Sequence, residues 1–124
     1  MSELHGHIGQ IALTVSDVNN ALRFYRDILG LPFLFQPSPD LAFLQAGTVR
    51  LMLSTPQGAG EVGENSVLYF TVTDISATYA KLVANGATAE RPPVLAAKMP
   101  DHQLWLGFIR DFDGNLLGLM EEIR

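Results

Sequence analysis

Cysteine is absent from this sequence of 124 residues, and charged side chains make up only 17% of it. Without a thiol the chain has no disulfide, no thiolate zinc site and no cysteine nucleophile, which leaves His, Asp, Glu, Gln or backbone oxygens as possible metal ligands. It also lacks a run of ~18 apolar residues that could cross a bilayer and a basic, then apolar, leader typical of secretion. We therefore expect a cytoplasmic protein with no membrane partner.

Basic residues are outnumbered, with 8 Lys and Arg against 13 Asp and Glu and a net charge of −5. A protein of this charge repels a phosphate backbone, so we expect no nucleic-acid partner. Hydrophobic side chains reach 48%, and a chain of this length can bury roughly two thirds of its unfolded surface. One self-sufficient domain over residues 1–124 is therefore expected.

The sequence contains one pattern twice. Residues 11–18 (IALTVSDV) return as residues 68–75 (LYFTVTDI). Alternating apolar residues in each copy predict a strand, and apolar residues at helical spacing follow over 18–29 and about 76–84. Each copy thus begins with a strand and a helix.

Later strands repeat as well. Residues 41–44 resemble residues 106–109, and each stretch is followed by a glycine turn and another apolar strand. In the first copy we also predict a strand over 33–35 and a turn over 37–40. The chain is thus predicted to hold two βαβββ modules, at about 6–55 and 66–123, joined by the Gly-rich linker 56–65.

Two copies are too few for a solenoid, so we expect the modules to pair around a shared surface. In the first strand of each module, alternate residues face the helix, and the others, such as Gln10 and Tyr69, face the opposite side of the sheet. No further helix is left to cover that side. The predicted fold is therefore α+β, with the modules pairing into a cup-shaped half-barrel of mixed sheet whose concave face holds the functional site.

Three stretches, in this order, carry a family resemblance: residues 10–17 (QIALTVSD), 24–31 (FYRDILGL) and 110–115 (RDFDGN). Together they resemble the vicinal oxygen chelate superfamily, which includes glyoxalase I, extradiol dioxygenases and the bleomycin resistance proteins. The resemblance covers nearly the whole chain and implies the glyoxalase/bleomycin-resistance fold. It is specific for the fold and not for a reaction.

The resemblance also implies four positions for metal ligands, because metal-using members place His, Gln or Glu at them. They correspond to Gln10, Val67, Gly118 and, depending on the alignment of a turn, Leu51 or Met52. Valine and glycine offer no side-chain donor, and a thioether is a poor ligand for hard divalent cations. A Lewis-acid mechanism needs about three protein ligands, so we predict no metal site and no cofactor.

The candidate catalytic residue is His102, in the stretch 98–105 (KMPDHQLW) just before a predicted strand at 106–109. As a loop this stretch could hold a ligand, with Asp101 orienting the imidazole and Trp105 offering a stacking face. In a plainer interpretation Asp101 and His102 bond locally within a turn and Trp105 is packed. Both interpretations stay open.

Other polar motifs favour structural roles. His5 and His7 could bind a transition metal adventitiously, but they belong to a terminal stretch. Residues 110–115 lack the ligand spacing of an EF-hand calcium loop and predict a hairpin turn with a positive φ at Gly114 or Asn115. Four acidic residues outside the predicted strands are expected to be solvated: Glu61, Glu64, Glu121 and Glu122.

These observations predict a metal-free small-molecule binding protein, a homodimer similar to the bleomycin resistance proteins, which are acidic dimers that sequester a cationic drug. A cationic or neutral small organic molecule is expected because the net charge disfavours anions. The alternative is a glyoxalase-type lyase or isomerase with a relocated site, in which His102 is a ligand or general base. A third possibility is a domain with no ligand, whose cup its own side chains fill. The predicted ligand-binding residues are Gln10, Met52, Tyr69, Asp101, His102 and Trp105.

Overall fold

The chain divides into two units between Gly60 and Glu61, inside the Gly-rich segment 56–65. The computed structural model describes residues 4–58 and 60–124. Each unit has one four-stranded sheet of mixed strand direction and one helical stretch, so the predicted α+β class and the βαβββ order of each module are confirmed. No helix within these two described ranges is long and apolar enough to span a membrane.

The first unit contains four strands and one helical stretch. Its elements are β1 (Gln10–Thr14), α1 (Val18–Leu22), a π-helical segment (Arg23–Ile28), β2 (Phe33–Ser38), β3 (Leu41–Ala46) and β4 (Val49–Ser54). The strand order is β1-β4-β3-β2, with β1 parallel to β4 and the other neighbours antiparallel. Asp17 starts α1 because its carboxylate accepts hydrogen bonds from the amides of Asn19 and Asn20, at 3.0 and 3.4 Å.

The single helix predicted over residues 18–29 changes type at Arg23. From there the hydrogen bonds skip one more residue, as in the 2.9 Å bond from the Leu29 amide to the carbonyl of Phe24. This wider turn accompanies the complete burial of two consecutive rings, Phe24 and Tyr25, which meet edge to face with centroids 5.0 Å apart. The apolar pattern predicted the helix but not this change of type.

The predicted turn over residues 37–40 is shorter in the structure. Strand β2 continues through Pro37 to Ser38, which pairs with Leu41, so the turn begins only at Pro39. Strand β2 lies at the edge of its sheet. A proline is tolerated there because an edge strand does not need every amide for the ladder.

The second unit repeats the arrangement of the first. Its elements are β5 (Leu68–Thr71), α2 (Ile75–Ala84), β6 (Thr88–Lys98), β7 (Gln103–Arg110) and β8 (Leu116–Ile123). The strand order is β5-β8-β7-β6, with β5 parallel to β8. Sequence periodicity did not locate β6, because Pro92 and Pro93 interrupt it and its pairing with β7 shifts register near Arg91. These interruptions are accommodated because β6 is an edge strand.

Helix α2 is capped by a side chain from another element. The carboxylate of Glu121, on β8, accepts hydrogen bonds from the amides of Asp74 and Ile75, both at 3.0 Å. Asp74 itself accepts a bond from the amide of Ala77 at 3.3 Å. The prediction that Glu121 is a solvated charge is therefore wrong, because its oxygens satisfy amides of the first helical turn that have no partner within the helix.

The turn after β7 is held by its own side chains. The buried carboxylate of Asp111 accepts bonds from the amides of Asp113 and Asn115, at 2.9 and 2.8 Å, and from Nδ2 of Asn115 at 2.9 Å. Gly114 has φ +87°, which confirms the predicted hairpin turn. Oδ1 of Asn115 in turn accepts the Nδ2 of Asn65 at 3.0 Å, so the end of the Gly-rich segment is fastened to this turn.

Each sheet packs one face against its own helix. On the helix side, six leucine and isoleucine side chains of β1, β4, β7 and β8 are at most 1% exposed. The opposite face of each sheet is covered by no helix of the same unit among the described residues. The buried side chains that define the helix side are Leu13, Leu51 and Leu53 in the first unit, and Ile109, Leu117 and Leu119 in the second.

Candidate functional site

The uncovered face of the second sheet carries an aromatic cluster of Tyr69, Phe108 and Arg91, named here the platform. The rings of Tyr69 and Phe108 meet edge to face, with centroids 5.8 Å apart and planes at 79°. Cζ of Arg91 lies 4.4 Å from the centroid of Phe108, within cation–π range. Phe108 is only 9% exposed, whereas Tyr69 is 49% exposed. The platform therefore presents an open aromatic surface beside a positive charge.

Gly118 makes room for the ring of Tyr69. The strand register places Gly118 on β8 between Tyr69 on β5 and Phe108 on β7. A Cβ added at Gly118 would overlap Cδ2 of Tyr69 and would lie 2.6 Å from its Cε2. Because only glycine lacks this atom, the tyrosine ring can lie directly over the backbone of β8.

The uncovered face of the first sheet carries a comparable cluster. Cζ of Arg50 lies 5.0 Å from the centroid of Phe43, and Phe43 stacks on Phe35 with centroids 4.7 Å apart. Two predicted ligand-binding residues, Gln10 and Met52, come together here, with Gln10 Nε2 3.6 Å from Met52 Sδ. The Oε1 of Gln10 accepts a 2.7 Å hydrogen bond from Nε of Arg50. Both ends of the Gln10 amide are thus engaged by neighbouring side chains.

His102 lies between two carboxylates at the tip of the β6–β7 hairpin. Its Nδ1 is 2.7 Å from Oδ1 of Asp101, and its Nε2 is 3.3 Å from Oε1 of Glu122. Arg124 bridges the same carboxylates, at 2.6 Å from Asp101 and 3.2 Å from Glu122. The hydrogen bond from His102, followed by that from Arg124, holds the pKa of Asp101 below its ordinary value. Glu122, predicted to be a solvated charge, is therefore part of this cluster.

An open pocket of about 390 Å³ lies beside the His102 cluster. Both ring nitrogens face carboxylates, so a substrate would have to displace Glu122 from Nε2 before the imidazole could accept a proton from it. The pocket is lined by Lys98, Met99, His102, Gln103, Ile123 and Arg124.

Trp105 lies on the side of its sheet opposite Tyr69 and is not among the residues that line the pocket beside His102. The loop considered for residues 98–105 is shorter in the structure: β6 runs through Lys98 and β7 begins at Gln103, so only residues 99–102, with Asp101 and His102, connect the strands, and Trp105 belongs to β7. Strand alternation puts Trp105 on the side of the buried Ile109 and opposite Phe108. Its Nε1 donates a 3.2 Å hydrogen bond to Oε1 of Gln103.

The arginines of both clusters were missed from the sequence. A lone arginine belongs to no motif, and the position of Arg91 opposite Phe108 depends on β6, which the prolines conceal. Phe43 and Phe108 did carry a signal, because they occupy matching positions in the repeated stretches 41–44 and 106–109. That match would have singled out both rings as members of equivalent sheet faces.

The fold and these sheet faces define a glyoxalase-type α+β protein. Residues 7–119 match the model of the Glyoxalase/Bleomycin resistance protein/Dioxygenase superfamily. The match spans most of the chain, and the protein belongs to this superfamily.

Individual relatives agree with this assignment. The chain is 29% identical over 124 aligned residues to the uncharacterized protein YraH of Bacillus subtilis strain 168. The alignment covers 87% of this chain and 92% of YraH. Lactoylglutathione lyase from Agrobacterium tumefaciens has 24% identity and a TM-score of 0.75, covering 95% of each chain. TnmS3, an antibiotic binding protein from Streptomyces sp. CB03234, has 22% identity and a TM-score of 0.77, covering 98% of this chain and 99% of that one. At these identities the two structures show the fold alone.

The side chains at the family's metal positions do not fit a divalent ion. Gly118 has no donor, and the Tyr69 ring occupies the space that a donor side chain there would need. Val67 has no donor either, and the side-chain oxygen Oε1 of Gln10 already accepts a bond from Nε of Arg50. In the part of the chain that the structure describes, no three or more His, Asp or Glu side chains are grouped so that they could hold a metal ion.

Proposed function

We propose that this protein binds a small organic molecule on its uncovered sheet faces without a metal ion. The observation that carries the proposal is the ring of Tyr69 over Gly118. It puts an exposed aromatic surface at the position where the family resemblance implies a carboxylate ligand. A flat apolar molecule gains from both burial and ring stacking there, the stacking contributing about 0.5–1.5 kcal/mol per ring pair.

The sheet face of the second unit is tested with a neutral aromatic probe, 2-naphthylmethanol, in buffer containing EDTA. Calorimetric titration is expected to give saturable binding, weakened about tenfold by Tyr69→Ala because the exposed ring is lost. The matched control is Tyr79→Ala, which removes the same side chain from helix α2. Unchanged affinity in the Tyr69 variant would contradict the proposal.

The metal-free part of the proposal has its own test. Tag-free protein, with His5 and His7 replaced by alanine, is incubated with Ni²⁺, Zn²⁺ or Mg²⁺, desalted and subjected to elemental analysis. We expect no stoichiometric ion and an unchanged probe affinity, since the ligand positions offer too few donors. A stoichiometric ion that disappears in a Gln10→Ala variant would overturn this part.

The alternative function is a glyoxalase-type lyase or isomerase that uses the pocket beside His102. The pocket favours it, and the carboxylates on both ring nitrogens oppose it. Turnover of a hemithioacetal substrate that is abolished by His102→Ala and retained by Tyr69→Ala would establish this alternative. The similarity to a protein described as a lactoylglutathione lyase makes this substrate the first to try.

Part of the proposal is that the protein forms a homodimer. Its support is the family resemblance together with apolar rings on β2 that stay exposed, at 41% for Phe33 and 46% for Phe35. Native mass spectrometry of freshly purified protein tests this and also detects any co-purified small molecule. A monomer at micromolar concentration would contradict the dimer without touching the binding proposal.

A further inference from the structure

We propose that the molecule held on the platform of the second unit is an organic anion, a flat ring system bearing a carboxylate that Arg91 binds. This inference rests on the proposed function and names the chemical class of its ligand. It makes Arg91 the residue that determines specificity at the platform.

Arg91 differs from the other arginines of the second unit in its partners. Arg110 pairs with Glu90 at 3.0 Å, and Arg124 pairs with Asp101 and Glu122. Among the described residues, Arg91 contacts the ring of Phe108 and no carboxylate lies within ion-pair distance of it. A positive charge over an aromatic ring, in a protein with 13 acidic residues, is therefore left without an anionic partner.

The neighbouring carboxylate does not neutralise Arg91. Glu90 precedes it in β6, but the Glu90 carboxylate is bound by Nη2 of Arg110 at 3.0 Å. That hydrogen bond is also the largest cause of the lowered pKa of Glu90, to which Arg91 adds only a smaller charge effect. The negative charge next in sequence is thus engaged elsewhere.

The contact with Phe108 suits Arg91 for carboxylate recognition. A guanidinium that meets a ring through its face keeps N–H donors along its edge, and these match the two oxygens of a carboxylate. The half-exposed ring of Tyr69 lies next to Phe108, so the apolar part of the same molecule can pack against it. One small ligand can therefore meet the charge and the rings together.

Local charge and overall charge make opposite predictions at this site. The net charge of −5 favours a cationic or neutral ligand, as the sequence predicted. At physiological salt, exposed charges more than about 8 Å away are largely screened. The arginine in contact with the ligand therefore determines which sign of ligand charge is preferred. The first unit also has an arginine over an aromatic ring, since Cζ of Arg50 lies 5.0 Å from the centroid of Phe43.

The test uses three probes that share one ring system and differ in charge: 2-naphthoate, 2-naphthylmethanol and 2-naphthylmethylammonium. Calorimetry at 0.15 M salt is expected to rank 2-naphthoate first, at least about tenfold tighter than the alcohol. Arg91→Gln should remove this advantage while changing the affinity for the alcohol less than about twofold. Arg91→Lys should restore part of it, because lysine keeps the charge and loses the bidentate geometry.

Arg23→Gln, on the surface of the first unit next to helix α1, removes the same charge and should leave all three affinities unchanged. Equal or tighter binding of the alcohol or the ammonium compound would overturn the anion inference and leave the proposed function standing. Binding of none of the probes would overturn both. An unchanged ranking in Arg91→Gln would overturn the role of Arg91, with circular dichroism confirming that each variant is folded.

Discussion

The ring of Tyr69 occupies the space that any side chain at Gly118 would need. The two residues face each other across β5 and β8, and a Cβ at Gly118 would lie within 2.9 Å of three ring atoms of Tyr69. An aromatic binding surface and a side-chain ligand at position 118 are therefore mutually exclusive while Tyr69 keeps its position.

Gly118→Ala is expected to destabilise the protein by about 1–3 kcal/mol, because the new methyl group overpacks against Tyr69. Urea unfolding measures the loss. In a Tyr69→Ala background the same substitution should cost less than about 0.5 kcal/mol, since the clash is gone. Gly9→Ala is the control, because its Cβ would have no other heavy atom within 4 Å. Equal costs for Gly118→Ala in both backgrounds would refute the clash.

Glu121→Ala is expected to cost about 1 kcal/mol, comparable to loss of a helix N-cap, because the amides of Asp74 and Ile75 lose their acceptor. Hydrogen exchange of these two amides should accelerate in the variant. Glu122→Ala, one residue further along β8, removes the same side chain without uncapping α2. The Glu122 variant should leave the exchange of the Ile75 amide unchanged. If the Glu121 variant also left it unchanged, Glu121 would not act as the cap.

Asp111→Ala is expected to cost about 3 kcal/mol, since three hydrogen bonds to a buried carboxylate are lost within one turn. Thermal unfolding measures the effect. Asp40→Ala, in an exposed turn of the first unit, should stay within about 0.5 kcal/mol of the parent protein. A similar effect at both positions would mean that the side chain of Asp111 contributes little to the turn.

The stabilising effect of Asp101 should depend on pH in the acid range. Its folded-state pKa lies below the ordinary value of 3.8 because of the bonds from His102 and Arg124. Its contribution is therefore complete above that value and is lost as the pH falls through the lowered pKa. Asp101→Asn should unfold at lower urea concentration than the parent near neutral pH, with the difference shrinking as the solution is acidified.

Asp40→Asn provides the charge control for the acid titration, because no ion pair involves Asp40 among the described residues. It should follow the parent protein across the whole pH range. A difference between Asp101→Asn and the parent that grew on acidification would reverse the sign of the linkage and contradict the ion-pair assignment.

The repeat made the fold predictable from the sequence. The two copies, 11–18 and 68–75, fixed the first strand of each unit, and their alternation predicted that Tyr69 faces away from the helix side. The glycine turn at 110–115 was predictable without the repeat, because the residues that favour a turn act locally. Local patterns therefore sufficed for most elements.

The candidate site was less predictable because its contacts are not local. The partners of His102 include Glu122 and Arg124, which only the pairing of β7 with β8 brings close. The contact of Arg91 with Phe108 requires the irregular register of β6. The chemistry of the individual residues singled out His102 and Asp101 as candidates for the site. It could not show which side chains form hydrogen bonds and ion pairs with them.

The two units fill one pair of facing positions in opposite ways. Ala12 on β1 faces Met52 on β4, whereas Tyr69 on β5 faces Gly118 on β8. A variant of this protein with a carboxylate side chain at position 118 would also need a smaller residue at position 69, because a side chain at 118 overlaps the ring of Tyr69. A carboxylate ligand at position 118 is thus separated from the present sequence by two coordinated substitutions, and neither of them alone makes room for it without loss of stability or of the ring.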